Sequence, residues 1–283
     1  CSRQRSSRIV LKVVFFSMRD VIQTLIQSSG LRFINWLARS GGYRIKTMAY
    51  GNGDRHQMDW FLVDENLPTV VFFHGGNWRS GCRQDYRFVA DTLCQMNVNA
   101  LIPDFPLYPE YRFKDILAGA AGAVNCFMQN VSDNSMVVLM GHSSGAQMAA
   151  LLALDSSLLH SSERVCAMIG LSGPYDFFPF TDEDHWDLFA PEEEYPRSQP
   201  VNYVNPESPP LYLLHGREDL RVRRGHSKSL MEKQLNAGGF AAREVYKDMG
   251  HVDAVLSFSR IHRRNSPVIR DIHSYIDKLF KED

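Results

Sequence analysis

Residues 136–154 read MVVLMGHSSGAQMAALLAL: an apolar run of strand composition, the five residues GHSSG at 141–145, and an apolar run of helix-forming composition. Glycines make tight turns and serine caps helices, so a strand-to-helix joint can hold these letters for local reasons alone. With Gly and Ser each near 7% of residues, G-x-S-x-G arises by chance in about one chain in ten of this length. The chemical reading is a strained turn that lifts the hydroxyl of Ser143 above a sheet. Gly141 and Gly145 are then small because the turn crowds the neighbouring chain. That reading needs a base, an acid and backbone N–H donors supplied from other strand ends.

Outward from this joint, the chain from about Tyr43 alternates short β-rich runs with helical ones, the pattern of a parallel sheet wrapped by helices. The strand candidates are RIKTMAY, QMDWFLV, TVVFF, VNALIP, MVVLM, VCAMIGL, LYLLH and AAREVY. GNGDRH separates the first two, and the partial alternation of QMDWFLV suits an antiparallel hairpin at a sheet edge. TVVFF, MVVLM and LYLLH are apolar throughout, as strands buried on both faces should be. Helices are expected at about 84–96, 113–130, 144–154, 226–236 and 268–280. The expected fold is therefore α/β: an open, mostly parallel, eight-stranded twisted sheet with helices on both faces and a small cap.

The continuous apolar strands run into polar signatures: TVVFF into HGGNW, MVVLM into GHSSG and LYLLH into GREDLRV, while DMGHVD follows AAREVY. All lie at strand carboxyl ends, where one site can draw on them together. Ser143 is the candidate nucleophile, and a serine hydroxyl needs a base within hydrogen-bond reach. His251 in DMGHVD is the expected base; His142 is adjacent in sequence but points elsewhere in such a turn. Asp219 is the expected acid, accepting Nδ1–H of His251, with Glu218, Asp248 and Asp253 as alternatives. The oxyanion donors are expected to be the N–H groups of Gly76, Asn77 and Ser144, with Gly75 shaping the turn and His74 as a structural brace. The chain order Ser, Asp, His is one of the few orders in which this machinery recurs.

Taken together, HGGNWRSG, PDFPLYPE, MGHSSGAQMAALLALD, LSGPYDF, LLHGREDLRV and GHVD resemble a bacterial carboxylesterase-type α/β-hydrolase. The group is that of the hormone-sensitive-lipase-like and arylformamidase-like esterases, and the likeness covers about residues 43–280. PDFPLYPE departs from the group's D-Y-R-L-x-P-E run by carrying Phe105 and Pro106 for Tyr and Arg, so the charge of that arginine has no counterpart at this position. The resemblance implies hydrolysis of short-chain carboxylic esters through an acyl-enzyme, on a small-molecule ester substrate and with neither metal nor cofactor. An amidase or arylformamidase would use the same residues, and a catalytically dead binding protein of the same fold is a third reading.

The 283 residues divide into an N-terminal segment, 1–42, and a hydrolase domain, 43–283, with a cap excursion at about 174–209. That excursion is too short for a full lipase lid; its Tyr175 and Phe177, together with Trp78, are expected to line the substrate pocket. In residues 18–40, apolar positions recur at helical spacing, so the segment reads as a helix pair that packs on the core, caps the site or contacts a membrane. With 31 basic against 32 acidic side chains, the net charge of −1 offers no field to recruit nucleic acid. Arg217, Arg221, Arg223 and Arg224 lack interleaved aromatics and read as a solvated loop face. The five cysteines show neither zinc spacing nor a disulfide framework, which fits a reducing, cytoplasmic compartment. The other expectation rests on Cys1: a lipidated first cysteine would place the chain in the cell envelope, whereas Arg3, Arg5 and Arg8 before a short apolar run suit a signal remnant or an upstream extension. Oligomeric state has no signature in the sequence.

Overall fold

A computed structural model describes residues 34, 35, 38, 41–131 and 135–281. The amphipathic stretch expected at 18–40 and the rest of the N-terminal segment therefore lie almost wholly outside the described residues. Among the described residues, eight strands form one sheet: β1 (Arg44–Ala49), β2 (Gln57–Leu62), β3 (Thr69–Phe73), β4 (Asn99–Pro103), β5 (Val137–His142), β6 (Val165–Leu171), β7 (Leu211–Gly216) and β8 (Ala241–Tyr246). Their spatial order is β1-β2-β4-β3-β5-β6-β7-β8. β1 and β2 are antiparallel, β2 meets β4 antiparallel, and every later pairing is parallel.

The apolar strands read as buried on both faces because they are. Every residue of β3, β4, β5 and β7 is buried, whereas β1 at the edge is mostly exposed. Side chains alternate between two cores, as the two-residue period of a strand requires. Val71, Phe73, Val137 and Leu139 face one core; Val70, Phe72, Val138 and Met140 face the other. The first core is closed by α2 (Phe113–Gln129) and α3 (Ser144–Leu154), the second by α1 (Arg87–Cys94) and α7 (Pro267–Lys281). All eleven residues of α3 are buried, which explains its near-uniform apolar sequence.

The excursion between β6 and β7 carries α4 (Glu183–Leu188) and two 3-10 turns, Glu192–Ser198 and Pro200–Tyr203. After β7 come α5 (Gly225–Asn236) and, after β8, the short α6 (Asp253–Leu256). β3 has β4 on one side and β5 on the other, so successive crossovers leave it in opposite directions. Such a switch point opens a crevice at the strand carboxyl ends, here between the turns that follow β3 and β5. Register sets these turns side by side, because Phe73 pairs with Gly141.

Candidate active site

Ser143 sits at the joint between β5 and α3 with φ 54° and ψ −124°, a backbone region costly for any residue with a side chain. Strain of this kind costs about 1–3 kcal/mol and persists only where the surroundings impose it. Here Ser143 N–H donates to Leu171 O at 2.9 Å, and Ser143 O accepts from Ala146 N–H at 3.0 Å. The two glycines are required by contact. A Cβ on Gly141 would stand 2.2 Å from Gly145 O, and one on Gly145 would stand 2.1 Å from Phe73 O. The motif thus packs backbone on backbone, and any side chain there would drive the elbow off β3.

His251 reaches over this turn from the loop between β8 and α6. Its Nε2 lies 2.8 Å from Ser143 Oγ and its Nδ1 lies 2.8 Å from Asp219 Oδ2. With the proton on Nδ1, the imidazole donates to the carboxylate and accepts from the serine. Asp219 follows β7 and is fixed on its other oxygen, Oδ1 accepting from the N–H groups of Arg221 and Val222 at 2.9 Å each. Burial favours the neutral acid, but hydrogen bonds from His215 and His251, with the Val222 N–H, outweigh it and hold Asp219 well below the usual carboxylate range. Of the alternative acids, Glu218 is exposed and Asp253 Oδ2 accepts from Gly250 N–H at 2.6 Å.

The loop after β3 lies beside the elbow. Gly76 has φ +134°, and a Cβ there would stand 2.1 Å from Ser80 O, so only glycine fits. Asn77 and Trp78 follow with φ 55° and 58°, two consecutive left-handed residues that are not glycine. The N–H groups of Gly76, Asn77 and Ser144 donate to no other described residue. That of Ser144 also opens α3, whose end dipole favours negative charge.

His74 and His142 are both buried and neither meets Ser143 Oγ. His74 stacks on Phe105 at 4.4 Å and its Nδ1 lies 2.9 Å from Gly75 O. Burial lowers its pKa to about 4. Phe105 thus serves as the platform for the brace under the β3 loop. His142 Nε2 lies 2.9 Å from His251 O, and burial, then the neighbouring His251, lowers its pKa to about 3.

Of the three residues expected to line the pocket, Phe177 is half-buried, whereas Trp78 (3% exposed) and Tyr175 (0%) lie in the first core. Trp78 packs against Phe113, Phe177, Phe189 and His185 and donates from Nε1 to Gln147 Oε1 at 3.2 Å. Tyr175 fills the space over Gly170 and Gly173, where added Cβ atoms would stand 1.9 and 2.5 Å from its hydroxyl oxygen.

Three residues near the site had no place in the sequence reading. His215 is fully buried in β7, its Nε2 3.0 Å from Val222 O and 3.2 Å from Asp219 Oδ2, so one N–H can serve both. The His-x-x-x-Asp spacing across a strand end was the available signal. Gln147 donates to Ser198 O at 2.7 Å, and His185 Nε2 lies 3.1 Å from Asn77 Oδ1. Neither contact leaves a trace in local sequence. Among the described residues, no group of three or more His, Cys, Asp or Glu is placed to hold a metal ion, and no helix is long and apolar enough to cross a membrane.

Comparison with known proteins agrees with this architecture. The BD-FAE family profile matches residues 62–234, more than half of the chain. The isoprenylcysteine alpha-carbonyl methylesterase of Arabidopsis thaliana is 24% identical over 243 residues, 75% of this chain and 57% of that protein. The kynurenine formamidase of Danio rerio is 27% identical over 167 residues, 58% of this chain and 56% of that protein. The chain therefore spans little more than half the length of these two relatives. Among solved structures, a hyperthermophilic esterase from the archaeon Pyrobaculum calidifontis superposes with a TM-score of 0.73 at 15% identity, covering 93% of this chain and 97% of that one. At that identity the likeness is one of fold.

Proposed function

The chain belongs to the BD-FAE family, and from that premise we propose that it is a serine hydrolase cleaving short-chain carboxylic esters through an acyl-enzyme. The observation that carries the reading is the continuous chain from Ser143 Oγ through His251 to Asp219, 2.8 Å at each step, beside the N–H groups of Gly76 and Asn77, which donate to no other described residue. Ser143 Oγ attacks the ester carbonyl carbon while His251 Nε2 takes its proton, and Asp219 stabilises the imidazolium without taking the proton itself. The carbonyl π electrons move onto oxygen, which lies against the N–H groups of Gly76, Asn77 and Ser144, each such donor being worth about 2.7–4 kcal/mol. As the intermediate collapses, the C–O bond to the alcohol breaks and His251 returns the proton to the leaving oxygen. Water then repeats the sequence on the acyl-enzyme and restores Ser143.

The second reading is an arylformamidase, favoured by the likeness to the Danio rerio kynurenine formamidase. The same residues would break a C–N bond and protonate the departing amine. Wild type and Ser143→Ala assayed on p-nitrophenyl esters from acetyl to dodecanoyl, with an aryl formamide alongside, separate the two. Ser143-dependent cleavage peaking at short acyl chains supports the esterase; slow esters beside a rapidly cleaved formamide move the assignment to the amidase. Turnover of neither substrate by wild type contradicts both.

A further inference from the structure

Three consecutive residues of the β3 loop are each tied to the excursion between β6 and β7. Asn77 Oδ1 lies 3.1 Å from Nε2 of His185 on α4. Trp78 reaches the excursion through Gln147, which accepts from the indole at 3.2 Å and donates to Ser198 O at 2.7 Å. Arg79 pairs with Asp184, next to His185. The excursion is itself stapled, with Gln199 Oε1 accepting the N–H groups of Phe177 and Phe178 at 2.6 and 3.1 Å. It is also anchored a second time to the body, Asp187 accepting from Tyr108 and Arg112 at 2.8 Å each. Asn adopts left-handed backbone readily, but at the bulky Trp78 it persists only where the surroundings impose it.

We propose that this excursion is a clamp that sets the oxyanion loop, with His185 as its positioning residue. His185 is held at one place by aromatic rings of Trp78, Phe180 and Phe189, 5.4, 6.1 and 5.7 Å from its own. From there its Nε2–H fixes the Asn77 side chain and so the direction of the Asn77 N–H. The excursion then does more than wall a pocket: it completes the donor array that the developing oxyanion meets. The clamp rests on the serine-hydrolase reading, since it acts through the Asn77 donor of that mechanism.

Two variants separate the hydrogen bond from the packing. His185→Phe keeps a ring among the aromatics and removes the donor; His185→Gln places an amide N–H near the former Nε2. On the full chain, His185→Phe is expected to lower kcat by about tenfold to 10²-fold with KM little changed, and His185→Gln to recover most of the loss. Wild-type kcat in His185→Phe, or equal losses in both variants, would overturn the proposal. Amide exchange supplies a readout independent of turnover. The N–H groups of Arg79 and Ser80 donate to Gly76 O at 3.0 and 3.1 Å, so a loosened loop must expose them. Their exchange should quicken in His185→Phe and not in His185→Gln, whichever substrate the wild type accepts. Unchanged exchange in both variants refutes the clamp, whereas a wild type inert toward esters and formamides refutes the hydrolase reading and leaves the exchange result to decide the clamp.

Discussion

Replacing Asp219 by Asn is the sharpest perturbation of the candidate site, because the structure dictates how the amide must sit. Oδ1 of Asp219 is held by two backbone N–H groups, of Arg221 and Val222 at 2.9 Å, so the Asn oxygen stays there and its NH2 takes the place of Oδ2, leaving the Nε2–H of His215 to Val222 O alone. That NH2 then faces Nδ1 of His251 at 2.8 Å, which can only accept from it. The neutral imidazole must carry its proton on Nε2, pointing at Ser143 Oγ, and can no longer remove the serine proton. The same exchange of tautomer in the best-studied triad costs about 10⁴ in kcat, or about 5.4 kcal/mol of transition-state stabilisation. Asp219→Asn is accordingly expected to lose about four decades of kcat on a short p-nitrophenyl ester, with KM changed far less. Glu218→Gln, on an exposed neighbour, serves as the control and should remain within a few-fold of wild type. A damaging Glu218→Gln beside a mild Asp219→Asn would refute the acid assignment.

Two further outcomes follow from the same contacts. Gly145→Ala places a Cβ 2.1 Å from the backbone oxygen of Phe73, so a urea melt should show it destabilised by at least about 1–3 kcal/mol, and unchanged stability would mean that the elbow is not packed on β3 as described. His74 and His142 are buried with pKa values lowered to about 4 and about 3, against about 6.5 in the unfolded chain, so the unfolded state binds protons first as the pH falls. Stability should be complete above about pH 6.5 and decline from there toward pH 4 and below. His142→Gln, which keeps a donor for His251 O, should flatten that decline in pH-dependent urea melts; an unaltered slope would mean that His142 is not held neutral.

Much of the fold was legible because the strands that matter are buried on both faces. A continuous run such as TVVFF or LYLLH has few other uses, and the glycines of GHSSG answer to backbone contacts that no side chain can satisfy. Ser143, Asp219 and His251 could be placed together because strand carboxyl ends converge in an open α/β sheet, whatever the loop details. The contacts of the excursion were not legible. His185 and Asn77 are 108 residues apart, and α4 is only six residues long, too short for a periodic pattern. An aromatic-rich segment also reads alike whether its rings face a substrate or a core. Tyr175 is buried because Gly170 and Gly173 leave it room, a fact of packing between distant positions. His215 is the intermediate case: its spacing from Asp219 is local, but its hydrogen bond depends on how the chain turns after β7.

If Ser143 is the nucleophile and His251 its base, a phosphorylating agent must react at Ser143 and depend on His251. Wild type, Ser143→Ala and His251→Gln can be incubated with diethyl p-nitrophenyl phosphate and the modified peptide mapped by mass spectrometry. Wild type is expected to release about one equivalent of p-nitrophenol and to carry the diethylphosphoryl group on Ser143, with no adduct in Ser143→Ala and labelling slowed by orders of magnitude in His251→Gln. Stoichiometric labelling of another residue, or a phosphorylated Ser143→Ala, would contradict these roles.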